Sequence, residues 1–127
     1  MNVVDSSAWL EYFANGPNAA FFAPAIEAVE ELVVPTIVIY EVFRRILQQR
    51  GEDLAFRAVA VLHQGRVVDL DPALALQAAR LGVEERLPMA DSIVFATARE
   101  LGAEFWTQDA DFEGRQGVRY RAKRPPR

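Results

Sequence analysis

Short runs of β-forming residues alternate along this chain with longer segments patterned for helix. That alternation restricts the fold to a parallel sheet joined by helical crossovers, an α/β class. Asn2–Val4, Leu32–Val34, Arg66–Leu70, Glu104–Thr107 and Val118–Arg121 read as strands. Between them, Ser6 or Ser7 is expected to cap a helix running to about Phe13, ended by Asn15-Gly16-Pro17. Residues 18–31 read as a second helix, with a break or restart at Pro24. Thr36 is the expected N-cap of a helix through Arg50, which Gly51 ends. Asp53–Gln64 has helical spacing, Asp71-Pro72 opens a helix to about Glu85, and Pro88 opens another ended by Leu101-Gly102. In parallel sheets of this kind, ligands bind at the carboxyl ends of strands, where the strand order reverses.

Composition narrows the chemistry. With 127 residues the chain fits one domain, residues 1–127, with a basic tail over 121–127. It has no cysteine, which excludes disulfides and thiolate metal sites and suits a reducing cytoplasm. His63 is the one histidine, so a histidine zinc site or a Ser-His triad is not expected. The N-terminus MNVVDSSAW lacks the features of a signal peptide, and no apolar run reaches the roughly 20 residues that span a bilayer. The net charge of −4 is unevenly spread. Residues 115–127 carry six basic side chains and no acid, leaving eight basic against 18 acidic residues elsewhere. An acidic surface repels nucleic acid unless cations or local basic patches intervene.

Four acids stand where a core would not place them. Asp5 follows the apolar run Val3-Val4, at a strand's carboxyl end, where Asp also serves as an N-cap. Glu41 is surrounded by apolar residues in VPTIVIYEVF, on a helix read as buried on most faces, though Arg44 or Arg45 could pair with it. Asp91 opens the apolar helix of PMADSIVFATA. Asp109 and Asp111 follow the strand EFWT in TQDADF, a sequence equally suited to a polar turn. In a parallel sheet these positions converge on one edge. Clustered carboxylates raise one another's pKa unless a cation neutralises them. A hard divalent ion such as Mg²⁺ or Mn²⁺ fits oxygen ligands, and it is also the means by which many phosphodiester hydrolases work.

The motifs DSSAWLEYF, PTIVIYEVFRRI, LPMADSIVFATA and TQDADF, in this order, resemble those of PIN domains. The resemblance covers essentially the whole chain and is nearest to VapC toxins of toxin–antitoxin pairs. It implies a PIN-like three-layer fold with a central parallel sheet of order 3-2-1-4-5 and helices on both faces. It also implies a metal-dependent endoribonuclease whose catalytic quartet, Asp5, Glu41, Asp91 and Asp109, holds one or two Mg²⁺ or Mn²⁺ ions. Asp111 would stand on the rim, while Ser6, Ser7 and Thr107 would orient carboxylates. The implied partners are an RNA substrate, a VapB-like antitoxin and a second copy in a homodimer, with no membrane.

Arg44, Arg45 and the basic tail are possible phosphate contacts, or simply surface charge and a chain end. Trp9, Tyr12, Phe13, Phe21, Phe22 and Trp106 read mainly as core, and His63 as a surface residue. Phe56, Val59 and Ala60 give their helix more apolar surface than one core contact needs, a hint of an interface. Two alternatives remain at this point: a catalytically silent PIN-like protein-binding module, and another Mg²⁺-dependent phosphate hydrolase. Receiver and haloacid-type folds want a second early acid and a late lysine in the sheet, whereas the only lysine here is Lys123 in the tail. A toprim-type reading of Glu41 with Asp109 and Asp111 leaves Asp5 and Asp91 unexplained.

Overall fold

The computed structural model describes residues 1–126; Arg127, the last basic residue of the tail, lies outside the described residues. Five strands form one parallel sheet: β1 (Asn2–Val4), β2 (Leu32–Pro35), β3 (Arg66–Val68), β4 (Glu104–Thr107) and β5 (Val118–Tyr120). Their order is β3-β2-β1-β4-β5, as expected. The helices are α1 (Ser6–Phe13), α2 (Ala19–Glu27), α3 (Thr36–Arg50), α4 (Glu52–Leu62), α5 (Pro72–Glu85) and α6 (Met89–Glu100). The chain steps outward from β1 to β3, then returns to place β4 on the other side of β1. Right-handed crossovers in both directions put helices on both faces of the sheet. The switch point lies between β1 and β4.

Val3, Val4, Val33 and Val34 are fully enclosed, as expected of a sheet covered on both sides. Phe112 packs edge to face on both Phe95 and Phe105, which are tilted against each other, with centroids 4.8–5.4 Å apart. Trp9 and Phe22 are buried, Trp106 is nearly so, and Tyr12, Phe13 and Phe21 pack against the core from its margin. His63 is exposed.

Several boundaries differ from expectation, each for a local reason. Asp5, rather than Ser6 or Ser7, caps α1, its side chain accepting the Ser6 N–H. The second helix runs uninterrupted through Pro24 to Glu27, and a separate 3-10 turn follows over Val29–Glu31. Pro24 leaves the carbonyl of Ala20 without its helical donor, and because Ala20 is exposed water can replace it. β2 extends through Pro35, so Pro35 takes the N-cap position of α3 and Thr36 is already helical. β3 stops at Val68 because its partner β2 ends opposite it at Pro35. α3 is fully buried along Val38, Val42 and Ile46, and over its first half Ile37, Ile39, Glu41 and Phe43 are half-buried while Tyr40 is exposed.

Gly65 joins α4 to β3 against β2. A Cβ there would stand 2.9 Å from Cγ of the buried Leu32 and 3.0 Å from its carbonyl oxygen. Gly65→Ala should therefore cost about 1–3 kcal/mol, read as a melting temperature lower by several degrees in thermal denaturation.

Candidate metal centre

The switch point sets the site. The Asp5 N–H donates to the Trp106 carbonyl at 2.9 Å, which carries Asp5 just beyond the end of β1 and beside the end of β4. Its side chain is only 4% exposed. Oδ1 accepts the Ser6 N–H at 2.8 Å. Oδ2 accepts the Thr107 hydroxyl at 2.8 Å and the Ser7 hydroxyl at 3.3 Å. The Thr107 hydroxyl oxygen also accepts the Asp109 N–H at 3.0 Å, tying the two acids together. Asp109 in turn caps a 3-10 turn over Ala110–Phe112, its Oδ1 accepting the Asp111 N–H at 2.9 Å.

Asp91 enters from the first turn of α6. Asp5, Asp91 and Asp109 each offer an oxygen, and these atoms all lie within 4.8 Å of one another. Glu41, half-buried on α3, stands outside that tight group but interacts electrostatically with both Asp5 and Asp91. It forms no salt bridge with Arg44 or Arg45 among the described residues. Asp111 is exposed at the rim and adds its charge to Asp91.

Proton affinities show the strain of this arrangement. Burial pushes the Asp5 carboxyl above its usual range, opposed by the Thr107 and Ser6 hydrogen bonds, while the Asp109 charge adds to the rise. Burial and the charge of Asp5 also raise Glu41, with the Ser6 hydroxyl working the other way. Asp91 is pushed up to about 7, first by burial and then by the charges of Asp5, Asp109, Glu41 and Asp111. Among the described residues no Lys or Arg makes a salt bridge with any of these carboxylates. Three converging oxygens without a protein cation fit a hard divalent ion.

A family profile described as PIN domain matches residues 3–117. The chain belongs to the PIN-domain family. Solved structures agree with that fold. A toxin–antitoxin complex from Klebsiella pneumoniae superposes on this PIN domain with a TM-score of 0.78 at 23% identity, covering 93% of this chain and 95% of the other. VapC20 of Mycobacterium tuberculosis, described as a Sarcin-Ricin loop cleaving toxin, gives 0.74 at 22% identity over 91% and 95% of the two chains. VapBC2 from Rickettsia felis, bound to a DNA fragment from their promoter, gives 0.73 at 9% identity over 95% and 97%. No curated protein sequence matches at a significant level.

Two residues of this PIN domain that the sequence did not single out brace the site. The buried Gln108 donates from Nε2 to the Ser7 carbonyl at 3.3 Å. The buried Asn18 donates from Nδ2 to Gln108 Oε1 at 3.1 Å and to the Ala122 carbonyl at 2.9 Å. Gln108 stands between Thr107 and Asp109, and a polar side chain directly after a buried strand was the available signal. Asn18 gave none, because its partners lie 90 and 104 residues away. Arg44 and Arg45 are both exposed, but only Arg45 lines the groove beside the site.

Proposed function

We propose that this PIN domain is a metal-dependent endoribonuclease, the toxin of a toxin–antitoxin pair, acting in the cytoplasm. The observation that carries the reading is the convergence of Asp5, Asp91 and Asp109 at the switch point with no salt bridge to a cation among the described residues. In this reading those three carboxylates hold one or two Mg²⁺ or Mn²⁺ ions, and Glu41 completes the set. A divalent ion there supplies Lewis acidity and an activated water for phosphodiester hydrolysis. The chain's own groups do the positioning. Thr107, Ser7 and the Ser6 N–H hold the Asp5 carboxylate, and Thr107, bonded both to Asp5 and to the Asp109 N–H, joins the end of β1 to the turn after β4. Asp111 at the rim contributes charge at the mouth of the site.

The partners proposed are RNA, a VapB-like protein antitoxin and a second copy of the chain. The fold shared with VapC20 and with the Klebsiella pneumoniae complex supports the first two. Exposed apolar side chains support the third: Leu76 and Val83 on α5, Met89 at the start of α6, and Phe56 on α4.

The test is digestion of total RNA by purified protein with Mn²⁺, with Mg²⁺ and with EDTA. Discrete fragments that appear only with the metal ions are expected. RNA that remains intact under every condition, with antitoxin shown to be absent by mass spectrometry, would overturn the nuclease reading.

A further inference from the structure

A groove of about 580 Å³ runs between α1, α3, α4 and the C-terminal segment. Ser7 and Gln108 form the end that adjoins the carboxylates, since Ser7 bonds Asp5 and Gln108 precedes Asp109. Leu10, Phe13, Ile46 and Val61 make part of its floor. Four cations line it, Arg45 and Arg50 from α3, Arg57 from α4 and Lys123 from the tail, against one acid, Glu11, whose carboxylate accepts the Asn18 N–H at 2.7 Å. Among the described residues none of the four is in a salt bridge, whereas Arg99, Arg115 and Arg119 are paired with glutamates.

The tail reaches this groove by a specific route. Asn18 holds the Ala122 carbonyl, and the Arg121 guanidinium lies over the Phe21 ring at 4.6 Å. Both contacts bracket the approach to Lys123. Four cations without salt bridges among the described residues thus lie on one side of the carboxylate cluster, and the segment after β5 supplies one of them.

We propose that the C-terminal segment, clipped by Asn18, completes a groove that grips single-stranded RNA beside the carboxylate cluster, with Lys123, Arg45 and Arg57 as phosphate contacts. This rests on the nuclease reading above. Charge selects the occupant: the groove offers unpaired cations to a polyanion and opens toward the acids that would face its scissile phosphate. Phe13 at its floor provides a ring on which a base can stack. Asn18 is a positioning residue in this scheme, holding the strap at Ala122 and Gln108 at the inner end of the groove.

The test uses Asp5→Asn protein, so that RNA is bound rather than cut, and fluorescence anisotropy with a labelled mixed-sequence single-stranded RNA in Mg²⁺ over a salt series. Lys123→Gln and Arg57→Gln should each weaken binding about five- to tenfold. Each should also flatten the dependence of log Kd on log salt by about 0.7, the loss of one phosphate contact. Lys123→Arg should bind like the parent, and Arg80→Gln, on the exposed side of α5, should change nothing. Asn18→Ala should match Lys123→Gln and add little to it when combined; removal of residues 122–127 provides the same test if Asn18→Ala lowers the melting temperature. Parent-like affinity and salt slope in both Gln variants would overturn the groove and leave the nuclease reading standing. So would variants that lose only a protein partner. Absence of RNA binding by the parent, together with absence of cleavage by the wild type, would take the nuclease reading down as well.

Discussion

Asp91→Asn should reduce metal-dependent RNA cleavage at least about a thousandfold, the scale of several kcal/mol of transition-state stabilisation, while making the metal-free protein more heat-stable. The two effects share one cause. Asp91 projects a charge toward Asp5 and Asp109 that no salt bridge balances among the described residues. Its proton affinity, raised to about 7, means that the folded protein holds a proton that the unfolded chain has already released near pH 4. The folded state therefore binds more protons than the unfolded state between about pH 4 and pH 7, and stability falls as pH rises through that window. Below it both states are protonated, and above it both are ionised, so the curve flattens at each end. Because Asp91 is only half-buried, solvent screening limits the loss to about 1–2 kcal/mol, or roughly 5 °C in melting temperature. Asparagine keeps the shape without the charge. Calorimetry at pH 4 and pH 8, without metal, should show the variant and the wild type matching at the lower pH and the variant melting higher at the upper. An Asp91→Asn protein that cleaves like the wild type would remove Asp91 from the catalytic set.

Millimolar Mg²⁺ or Mn²⁺ should raise the melting temperature of the wild type at neutral pH, and binding should release protons. A ligand that binds only the folded state stabilises it by about 2.7 kcal/mol at a hundred times its Kd, enough for a rise on the order of 10 °C. The protons come from carboxyls whose affinity for them is raised in the empty site, Asp91 foremost, because a bound cation favours the ionised form. Titration calorimetry in two buffers of different ionisation enthalpy measures the release directly. Asp109→Asn should diminish both the thermal shift and the proton release, since Asp109 supplies one of the three converging oxygens. A melting temperature indifferent to either ion at millimolar concentration would rule out a metal centre here.

Much of this arrangement was legible in the residues. Strand identity followed from apolar runs separated by helix-length segments, while their order came from the resemblance to PIN domains, and Asp71-Pro72 marked the start of α5 because its chemistry is local. Asp5 and Asp91 stood out for the opposite reason, each beside an apolar run where an unpartnered charge is costly, whereas Asp109 alone reads as a polar turn and stands out only together with them. What escaped was decided by distant contacts. The length of β3 depended on where β2 ended, and the cap of α1 on which of Asp5, Ser6 and Ser7 the strand left outside the helix. Asn18 reads as the ordinary first residue of a helix until the tail arrives beside it. Arg44 and Arg45 are equivalent in sequence, and only the rotation of α3 distinguishes them.

The bond from Thr107 to Asp5 spans 102 residues, and Asp91 and Asp109 also come from the last third of the chain. A ribosome that has exposed β1, β2 and β3 has therefore produced Asp5 and Glu41 but no centre. Only when β4 emerges and docks against β1 do three carboxylates meet, and the strap with Lys123 follows within the final residues. For a protein read as an RNA-cutting toxin, this order of assembly withholds the chemistry until β4 has been made and has docked against β1. Prematurely terminated chains would carry half of the acids and none of the activity.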